Sequence, residues 1–184
     1  MTQPAIACYA QGEEDLIIAS LLDQHGMPRD TGTFVEIGVG DGEQNNTRSL
    51  AERGWQGTWI GNEALVYKPT LVTFQLAQVE LDNLQTLVLP YDHGCDLFSL
   101  DIDGNDYWIL ERLLEQFIAL PRILVVEYNA HADPGWIMPY VPHYRWKQGM
   151  PFGASLPAWV DLLTPLGYTY ECHSRKQVNA FFTR

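Results

Sequence analysis

Residues 100–107 read Leu-Asp-Ile-Asp-Gly-Asn-Asp-Tyr and concentrate three aspartates and an asparagine in one short stretch. A buried strand is predicted to end here, and alternation along it sends Asp101 and Asp103 to the same face. An EF-hand loop that began at Asp101 would need Gly at position 106 and Glu at position 112. Because those positions hold Asp106 and Arg112, a calcium loop of that kind is excluded. A divalent metal site, a substrate-positioning site and helix capping remain as interpretations.

A second polar group follows the next predicted strand, at Glu127, Asn129 and His131. If the two strands are neighbours in a sheet, Glu127 and Asn129 stand beside Asp101. Carboxylate and amide oxygens with water suit Mg²⁺ or Mn²⁺, and a buried hydrogen-bonded network is the alternative. His131, with an ordinary pKa of roughly 6.5, is a candidate general base, and so is Asp103.

A glycine-rich loop, Glu-Ile-Gly-Val-Gly-Asp-Gly at residues 36–42, follows the first predicted strand and leads into a helix. A dinucleotide fingerprint that started at Gly38 would need glycine at position 43, which is Glu43. A P-loop is excluded because no Gly-Lys-Ser/Thr follows. The pattern acid-x-Gly-x-Gly-x-Gly instead resembles the first motif of S-adenosylmethionine-dependent methyltransferases, whose cofactor carries a positive sulfur and no phosphate. A tight strand-to-helix turn without a ligand is the alternative.

The second predicted strand ends at Glu63, 27 positions after Glu36. In nucleoside-binding sheets an acid at this point accepts hydrogen bonds from the ribose hydroxyls, at an interval of roughly 20 residues. Glu63 is therefore a candidate ribose ligand, unless it is only an exposed acid in a loop.

Alternating helices and strands must position these residues. Helices are predicted at residues 13–25, 46–53, 69–77, 106–118 and 155–166. Strands are predicted at residues 33–38, 58–61, 97–102 and 122–127, with 168–172 and 178–183 as a closing hairpin. The ambiguous residues 78–89 must hold a third strand, with or without a helix. The alternation indicates a parallel sheet with right-handed crossovers, so ligands are expected beyond the carboxyl ends of its strands.

The whole chain of 184 residues is predicted to be one domain, with an N-terminal helical segment at residues 1–30. Its net charge of −12 disfavours duplex nucleic acid as a partner. No apolar run is long enough for a membrane span. Three cysteines without a Cys-x-x-Cys pair, and opening residues without a secretory pattern, favour reduced thiols and a cytoplasmic location.

A Pro-rich, aromatic segment at residues 133–153 interleaves aromatic and basic side chains. It is predicted to be an acceptor loop for an anionic or sugar-like substrate, with a structured surface loop as the alternative. Single-stranded nucleic acid is disfavoured by the overall charge. The candidate substrate residues are Tyr140, His143, Arg145 and Trp146.

The chain resembles FkbM-type methyltransferases, in particular a branch with an Asp-Ile-Asp-Gly-Asn-Asp-Tyr motif. The similarity covers nearly the whole chain, in blocks at residues 10–16, 34–42, 46–48, 54–57, 99–108, 126–129, 153–156, 167–168 and 178–182. It implies a compact α/β class I methyltransferase fold of the Rossmann-like type, with a mostly parallel seven-stranded sheet and an antiparallel C-terminal hairpin. It also implies methyl transfer, commonly to oxygen and sometimes to nitrogen.

This resemblance implies cofactor contacts at Glu36, Gly38, Gly40 and Glu63. Asp41 and Gly42 of the glycine-rich loop and Asp101 of the acid-rich turn are further candidate cofactor residues. The chain departs from the family after the second strand, where members usually carry Ile-Glu-Gly-Asp. Residues 60–63 read Ile-Gly-Asn-Glu, so the first acid is lost. The region between the second and fourth strands is also shorter than in the family.

The acid-rich turn is also similar to that of metal-dependent catechol-type O-methyltransferases. That likeness makes Asp101 the first metal ligand, with Glu127 or Asn129 beside it. The catalytic lysine of that group would fall near Gly104 and is absent.

The sequence thus predicts an S-adenosylmethionine-dependent methyltransferase that acts on a hydroxyl, less favourably a nitrogen, of a small-molecule or sugar-like acceptor. Asp101, Asp103 and His131 are the candidate catalytic residues. A different reaction of the same cofactor, such as its cleavage by a lyase, and a non-catalytic binding module are the alternatives. Neither the acceptor nor the oligomeric state is predicted.

Overall fold

The computed structural model describes residues 8–87 and 94–184, which build one seven-stranded sheet with helices on both faces. The strands are β1 (Thr33–Ile37), β2 (Gln56–Gly61), β3 (Val72–Leu76), β4 (Leu97–Leu100), β5 (Ile123–Glu127), β6 (Thr169–His173) and β7 (Asn179–Thr183). The α-helices of these ranges are α1 (Glu14–Gln24), α2 (Arg48–Ala51), α3 (Leu84–Leu87), α4 (Asp106–Leu114) and α5 (Leu156–Leu163). The strand order is β3-β2-β1-β4-β5-β7-β6, and β7 runs antiparallel to β5 and β6. The predicted sheet and its C-terminal hairpin are confirmed.

Apolar runs place β1, β4 and β5 at the centre of the sheet, where nearly every side chain is buried. Helices α4 and α5 pack on one face, with Trp159 fully buried among them. Helix α1 packs on the opposite face together with α2, around Trp55 and Trp59. The sheet is therefore covered on both sides, and the ends of its strands are left as the place for a ligand.

The strand order reverses between β1 and β4, which are parallel neighbours paired from Phe34–Leu97 to Ile37–Leu100. From β1 the chain continues to β2 and β3 on one side, and from β4 it continues to β5 on the other. In open α/β sheets a ligand binds beyond the carboxyl ends of the strands at such a reversal. Gly38 and Asp101, which follow β1 and β4 directly, stand at this point.

The helix predicted at residues 69–77 is wrong, because this stretch contains β3, which pairs in parallel with β2 from Gly57–Val72 to Gly61–Leu76. Strand β3 is an edge strand, and only Val72 of its five side chains is buried. Pairing with the neighbouring backbone, rather than burial, therefore fixes its conformation. The strand expected within residues 78–89 is also wrong for residues 78–87, which contain α3, and residues 88–89 lie outside the described ranges.

The other predicted elements are confirmed with shorter helices. Helix α2 is limited to Arg48–Ala51, whereas a helix over residues 46–53 was predicted. Helix α4 ends at Leu114, whereas the predicted helix extends to residue 118. Within the predicted N-terminal helical segment, α1 is the helix of the described part, and residues 1–7 lie outside it. Across residues 8–87 and 94–184, none of the helices combines the length and the apolar character that a bilayer crossing requires.

Candidate active site

Two cavities open at the carboxyl ends of the strands. The larger, of about 400 Å³, is bordered by the ends of β1, β2, β3 and β4. Its apolar lining side chains are Ile37, Ala77, Val79, Ile102, Tyr144 and Trp146, and its polar ones include Asn62, Glu63, Gln78 and Asn105. We call it the strand-end cavity.

The second cavity, of about 300 Å³, lies towards β5 and β7 and is called the acid cavity here. Carboxylates and amides dominate its lining, namely Asp41, Asp101, Asp103, Glu127, Gln11, Gln44, Asn46 and Asn179. The two cavities share Gly38, Gly40, Asp101 and Asp103. A ligand that fills one of them therefore reaches the other at the reversal between β1 and β4.

The three glycines of the loop after β1 have different reasons to be glycine. All three have a positive φ, but a Cβ on Gly38 would lie 1.5 Å from the carbonyl oxygen of Asp101. A Cβ on Gly42 would lie 2.1 Å from the carbonyl oxygen of Tyr67. These two glycines allow backbone segments to approach one another. Gly40 has no atom within 4 Å of that position, so only there is the space free for a ligand.

Glu36, the acid that opens the loop, is occupied within the fold. Its carboxylate accepts hydrogen bonds from the backbone N–H groups of Asn46 (2.9 Å) and Thr47 (3.0 Å), and from the Thr47 hydroxyl. The same hydroxyl accepts from the Trp59 indole N–H at 2.9 Å. Burial raises the pKa of Glu36 to about 7, although these hydrogen bonds oppose the rise. Glu36 therefore anchors the start of α2 to β1 from the edge of the acid cavity.

Three carboxylates, Asp101, Asp103 and Glu127, meet at the centre of the acid cavity, with one oxygen from each within 4.8 Å of the others. Burial, followed by the neighbouring carboxylates, raises the pKa of Asp101 and of Glu127 well above their ordinary values. Desolvation also raises the pKa of Asp103. The proximity predicted for Asp101 and Glu127 is present. We call these three residues the acid group.

The turn that carries the acid group is shaped by Asp106. Its carboxylate accepts from the backbone N–H groups of Ile102 and Gly104, both at 2.8 Å, and burial raises its pKa to about 6. Asp103 adopts a left-handed conformation with a φ of 54°. Its own N–H donates to Glu127 at 3.1 Å, which ties the end of β4 to the end of β5. Asp106, the third aspartate of the turn, is thus structural, and Asp101 and Asp103 face the cavity.

Asn179, a member of the acid cavity lining that no sequence argument identified, is the first residue of β7. It lines the cavity together with Asp101, and its buried Oδ1 has no hydrogen-bond partner. Because β7 is antiparallel, its first residue reaches the edge where β5 ends, opposite Glu127. The sequence predicts the antiparallel hairpin that contains Asn179. It does not predict the pairing register of β7 against β5, which places Asn179 opposite Glu127.

Two predicted residues do not join the acid group. Asn129 donates its side-chain amide to the Phe152 carbonyl at 3.4 Å and accepts from the backbone N–H of His131 at 3.1 Å. Both of its polar atoms are therefore used in the loop after β5, and Asp103 takes the place predicted for it. His131 is exposed and lines neither of the two cavities. The polypeptide turns away from the sheet directly after Tyr128, which explains both differences.

The four predicted substrate residues divide into two pairs. Tyr140 donates its hydroxyl to Glu80 at 2.8 Å, and the backbone N–H of His143 donates to the same carboxylate at 3.0 Å. They fasten the loop, and the His143 side chain is 82% exposed. Arg145 and Trp146 line a cavity, but it is the strand-end cavity rather than the acid cavity. Arg145 and Trp146 therefore border the cavity that shares Asp101 and Asp103 with the acid cavity.

The departure from the family pattern after β2 has a steric reason. A Cβ on Gly61 would lie 2.9 Å from Cγ2 of Val39, so the loop after β1 occupies the space of the missing side chain. Asn62 and Glu63 follow and both line the strand-end cavity. Glu63 is thus at the end of β2, where a ribose-binding acid is expected.

No family model matches the chain, and no curated protein sequence matches it. Solved structures that are similar in fold include the N-terminal domain of EvdMO1 in the presence of S-adenosylhomocysteine and D-fucose, with a TM-score of 0.57, 15% identity, and coverage of 95% of this chain and 84% of that one. A second is the Burkholderia thailandensis 1,6-didemethyltoxoflavin-N1-methyltransferase with bound 1,6-didemethyltoxoflavin and S-adenosylhomocysteine. Its TM-score is 0.53 at 14% identity, with coverage of 90% of this chain and 75% of that one. A third is an S-adenosylmethionine-dependent methyltransferase from Mesorhizobium loti, with a TM-score of 0.52, 15% identity, and coverage of 88% of this chain and 95% of that one. These similarities confirm the predicted class I methyltransferase fold.

Proposed function

We propose that this protein transfers a methyl group from S-adenosylmethionine to a hydroxyl group of a small, sugar-like acceptor, with a nitrogen acceptor less favoured. The observation that carries the proposal is the meeting of two cavities at Gly38, Gly40, Asp101 and Asp103. A bisubstrate reaction needs two binding spaces that touch at the reacting atoms. The FkbM-type assignment, carried by the sequence blocks described above, belongs to the same proposal.

The cofactor is assigned to the strand-end cavity. Glu63 lies at the end of β2, the position from which an acid accepts hydrogen bonds from ribose hydroxyls. Gly40 leaves the loop backbone open to the ligand, and Gly38 and Asp101 border both cavities. Gly38 and Asp101 would hold the part of the cofactor next to the acid cavity, and Asp41 borders the acid cavity alone.

The acceptor is assigned to the acid cavity, where the residues that face it accept hydrogen bonds well. Methyl transfer is an in-line displacement at carbon, so the protein must chiefly hold the acceptor oxygen roughly 3 Å from the methyl group. Asp101 and Asp103 lie at the junction and take the hydroxyl proton in this proposal. Their raised pKa values make them stronger bases than free carboxylates. In this proposal they replace His131, which lines neither cavity.

The acid group also fits a divalent cation. Three carboxylate oxygens lie within 4.8 Å of one another, and the buried Oδ1 of Asn179 beside them lacks a partner. Oxygen donors of this kind suit Mg²⁺ or Mn²⁺. Asp101, Asp103 and Glu127 would hold the ion, and an ion bound there would lower the pKa of a nearby hydroxyl. The proposed ligand set differs from the sequence expectation by Asp103 in place of Asn129.

Calorimetric titration with S-adenosylmethionine and S-adenosylhomocysteine tests the function, with NADH as a ligand that should give no signal. Glu63→Gln is expected to weaken S-adenosylhomocysteine binding about tenfold, because one ribose acceptor is lost and about 1.4 kcal/mol corresponds to a factor of ten. Glu43→Gln is the control, since Glu43 is an exposed acid of the loop after β1 and lines neither cavity.

Absence of binding by the unaltered protein would contradict the proposal and favour a module without a cofactor. If the cofactor binds, product analysis with candidate polyols and amines decides the chemistry. Methyl transfer yields S-adenosylhomocysteine, whereas cleavage of the cofactor by a lyase yields other fragments.

A further inference from the structure

Four consecutive residues of the loop after β5, Tyr144, Arg145, Trp146 and Lys147, line the strand-end cavity. None of them lines the acid cavity. We call them the 144–147 segment. The same cavity contains Glu63 and the open face of Gly40, and it is the one assigned to the cofactor.

Contacts at both ends hold the segment over this cavity. The side-chain amide of Gln78 donates to the Tyr144 carbonyl at 3.0 Å, which ties the segment to the residues after β3. The Tyr144 ring packs on Gly104, where a Cβ would lie 2.5 Å from a ring carbon. The indole N–H of Trp146 donates to the Met150 carbonyl at 3.0 Å. The segment is therefore built in place as a wall of the cavity.

The cavity lining includes apolar side chains from several parts of the fold, on which a flat group could pack. Val79 and Ile102 lie at the ends of β3 and β4, and Trp146 comes from the 144–147 segment. Trp146 is 40% exposed, so part of an indole surface is left open to solvent. Aromatic side chains gain from stacking on a purine, and a purine of the adenosyl group would complete such a layer.

We propose that the 144–147 segment binds the adenosyl group of the cofactor, with Trp146 as the residue that packs on the purine. This inference rests on the proposed function and reverses the role expected for the segment from the sequence. The specificity for the cofactor is then shared between Glu63 at the end of β2 and a loop that follows β5.

Trp146→Ala is expected to weaken S-adenosylhomocysteine binding about tenfold or more in calorimetry, and Trp146→Phe to remain within about threefold of the unaltered protein. Met150→Ala is the matched control, because Met150 is 38% exposed in the same loop and does not line the cavity. Thermal midpoints of all variants should agree closely, since Trp146 is outside the buried core.

The double substitution of Arg145 and Lys147 by alanine separates a purine from a phosphorylated ligand. An adenosyl group carries no negative charge, so this variant should bind S-adenosylhomocysteine within about twofold of the unaltered protein. A loss larger than that of Trp146→Ala would overturn the assignment in favour of an anionic ligand. Unchanged affinity in Trp146→Ala would overturn it in favour of an acceptor role.

Limited trypsin digestion of the unaltered protein gives a second readout. Bound S-adenosylhomocysteine should slow cleavage after Arg145 and Lys147. Cleavage after Arg29 should keep its rate, because Arg29 follows α1, on the side of the sheet where β1 begins. If S-adenosylhomocysteine binds in calorimetry but leaves the cleavage rates after Arg145 and Lys147 unchanged, the inference is contradicted and the proposed function stays intact. Absence of calorimetric binding would instead contradict the proposed function itself.

Discussion

At the scale of single residues, Glu36 shows how an acid of a ligand-binding motif can belong to the scaffold. Its carboxylate is satisfied by the start of α2, through the chain of hydrogen bonds that runs from Trp59 through Thr47. A buried carboxylate without a basic partner favours its protonated form. The residue therefore couples the stability of the loop to pH.

We expect the free energy of unfolding to fall as pH rises from about 4.5 to 7. The folded protein keeps a proton on Glu36 up to a pKa of about 7, against 4.5 for an ordinary glutamate side chain. The folded state thus binds more protons than the unfolded state in this interval, and stability decreases with pH. A shift of this size is worth about 3 kcal/mol. Denaturant unfolding at several pH values measures the slope.

Glu36→Gln should reduce that slope without removing it, because Asp106, with a pKa of about 6, contributes in the same direction. Asp161→Asn, an exposed acid on α5, serves as the control and should keep the full slope. A slope that Glu36→Gln leaves unchanged would show that the proton resides elsewhere.

The acid group was largely predictable because Asp101 and Glu127 follow two apolar strands, and neighbouring parallel strands end at the same edge. Asn129 lies outside the acid group because the loop after β5 uses its side-chain amide internally. Asn179 was missed because its position depends on the register of β7 against β5. Patterns of neighbouring residues thus predicted which edge of the sheet carries the acids. They did not predict that the C-terminal hairpin places Asn179 at the same edge.

At the scale of elements, the buried side chain of Glu80 holds the loop after β5 against the end of β3. It accepts from the Tyr140 hydroxyl, the His143 backbone N–H and the Gln78 amide. Glu80→Ala removes the acceptor of these three hydrogen bonds, each of which contributes about 0.5–1.5 kcal/mol. A lower thermal midpoint and faster tryptic cleavage after Arg145 are the expected results.

Glu115→Ala is the control for that variant, because Glu115 forms an exposed ion pair with Arg112 and such pairs contribute little. If Glu80→Ala digests at the rate of this control, the loop is held by other contacts. Glu80→Gln should lie between the two, since an amide keeps one acceptor oxygen and adds a donor.

The elements that sequence patterns misassigned are those without a buried face. β3 lies at the edge of the sheet with one buried side chain, so neither helical nor alternating periodicity marks it. The central strands and α4 carry continuous apolar faces and were predicted within a few residues. Where pairing alone determines the structure, the neighbouring strand must be known first.

At the scale of the whole molecule, a net charge of −12 makes every added cation stabilising to some degree. Screening alone therefore gives a rise in thermal midpoint with sodium chloride. A specific cation site is therefore tested by comparing the thermal midpoint in magnesium chloride with that in sodium chloride at the same ionic strength. We expect an additional rise with Mg²⁺, because ligands of the folded state shift the unfolding equilibrium.

Asp103→Asn should remove that additional rise and retain the effect of sodium chloride. Asp133→Asn, an exposed acid in the loop after β5, is the control and should behave like the unaltered protein. Equal midpoints in the two salts for the unaltered protein would contradict the metal assignment and leave carboxylate catalysis as proposed.

The antiparallel course of β7 has a practical consequence. Asn179 starts β7 beside the acid group, and the strand carries the chain to the opposite edge, where the N–H of Arg184 donates to the carbonyl of Arg122 at 3.1 Å. A fluorophore attached at residue 184, at that end of β7, would lie on the side remote from both cavities. Attachment to a sensor surface through that end would therefore leave the site accessible for screening compound libraries against it.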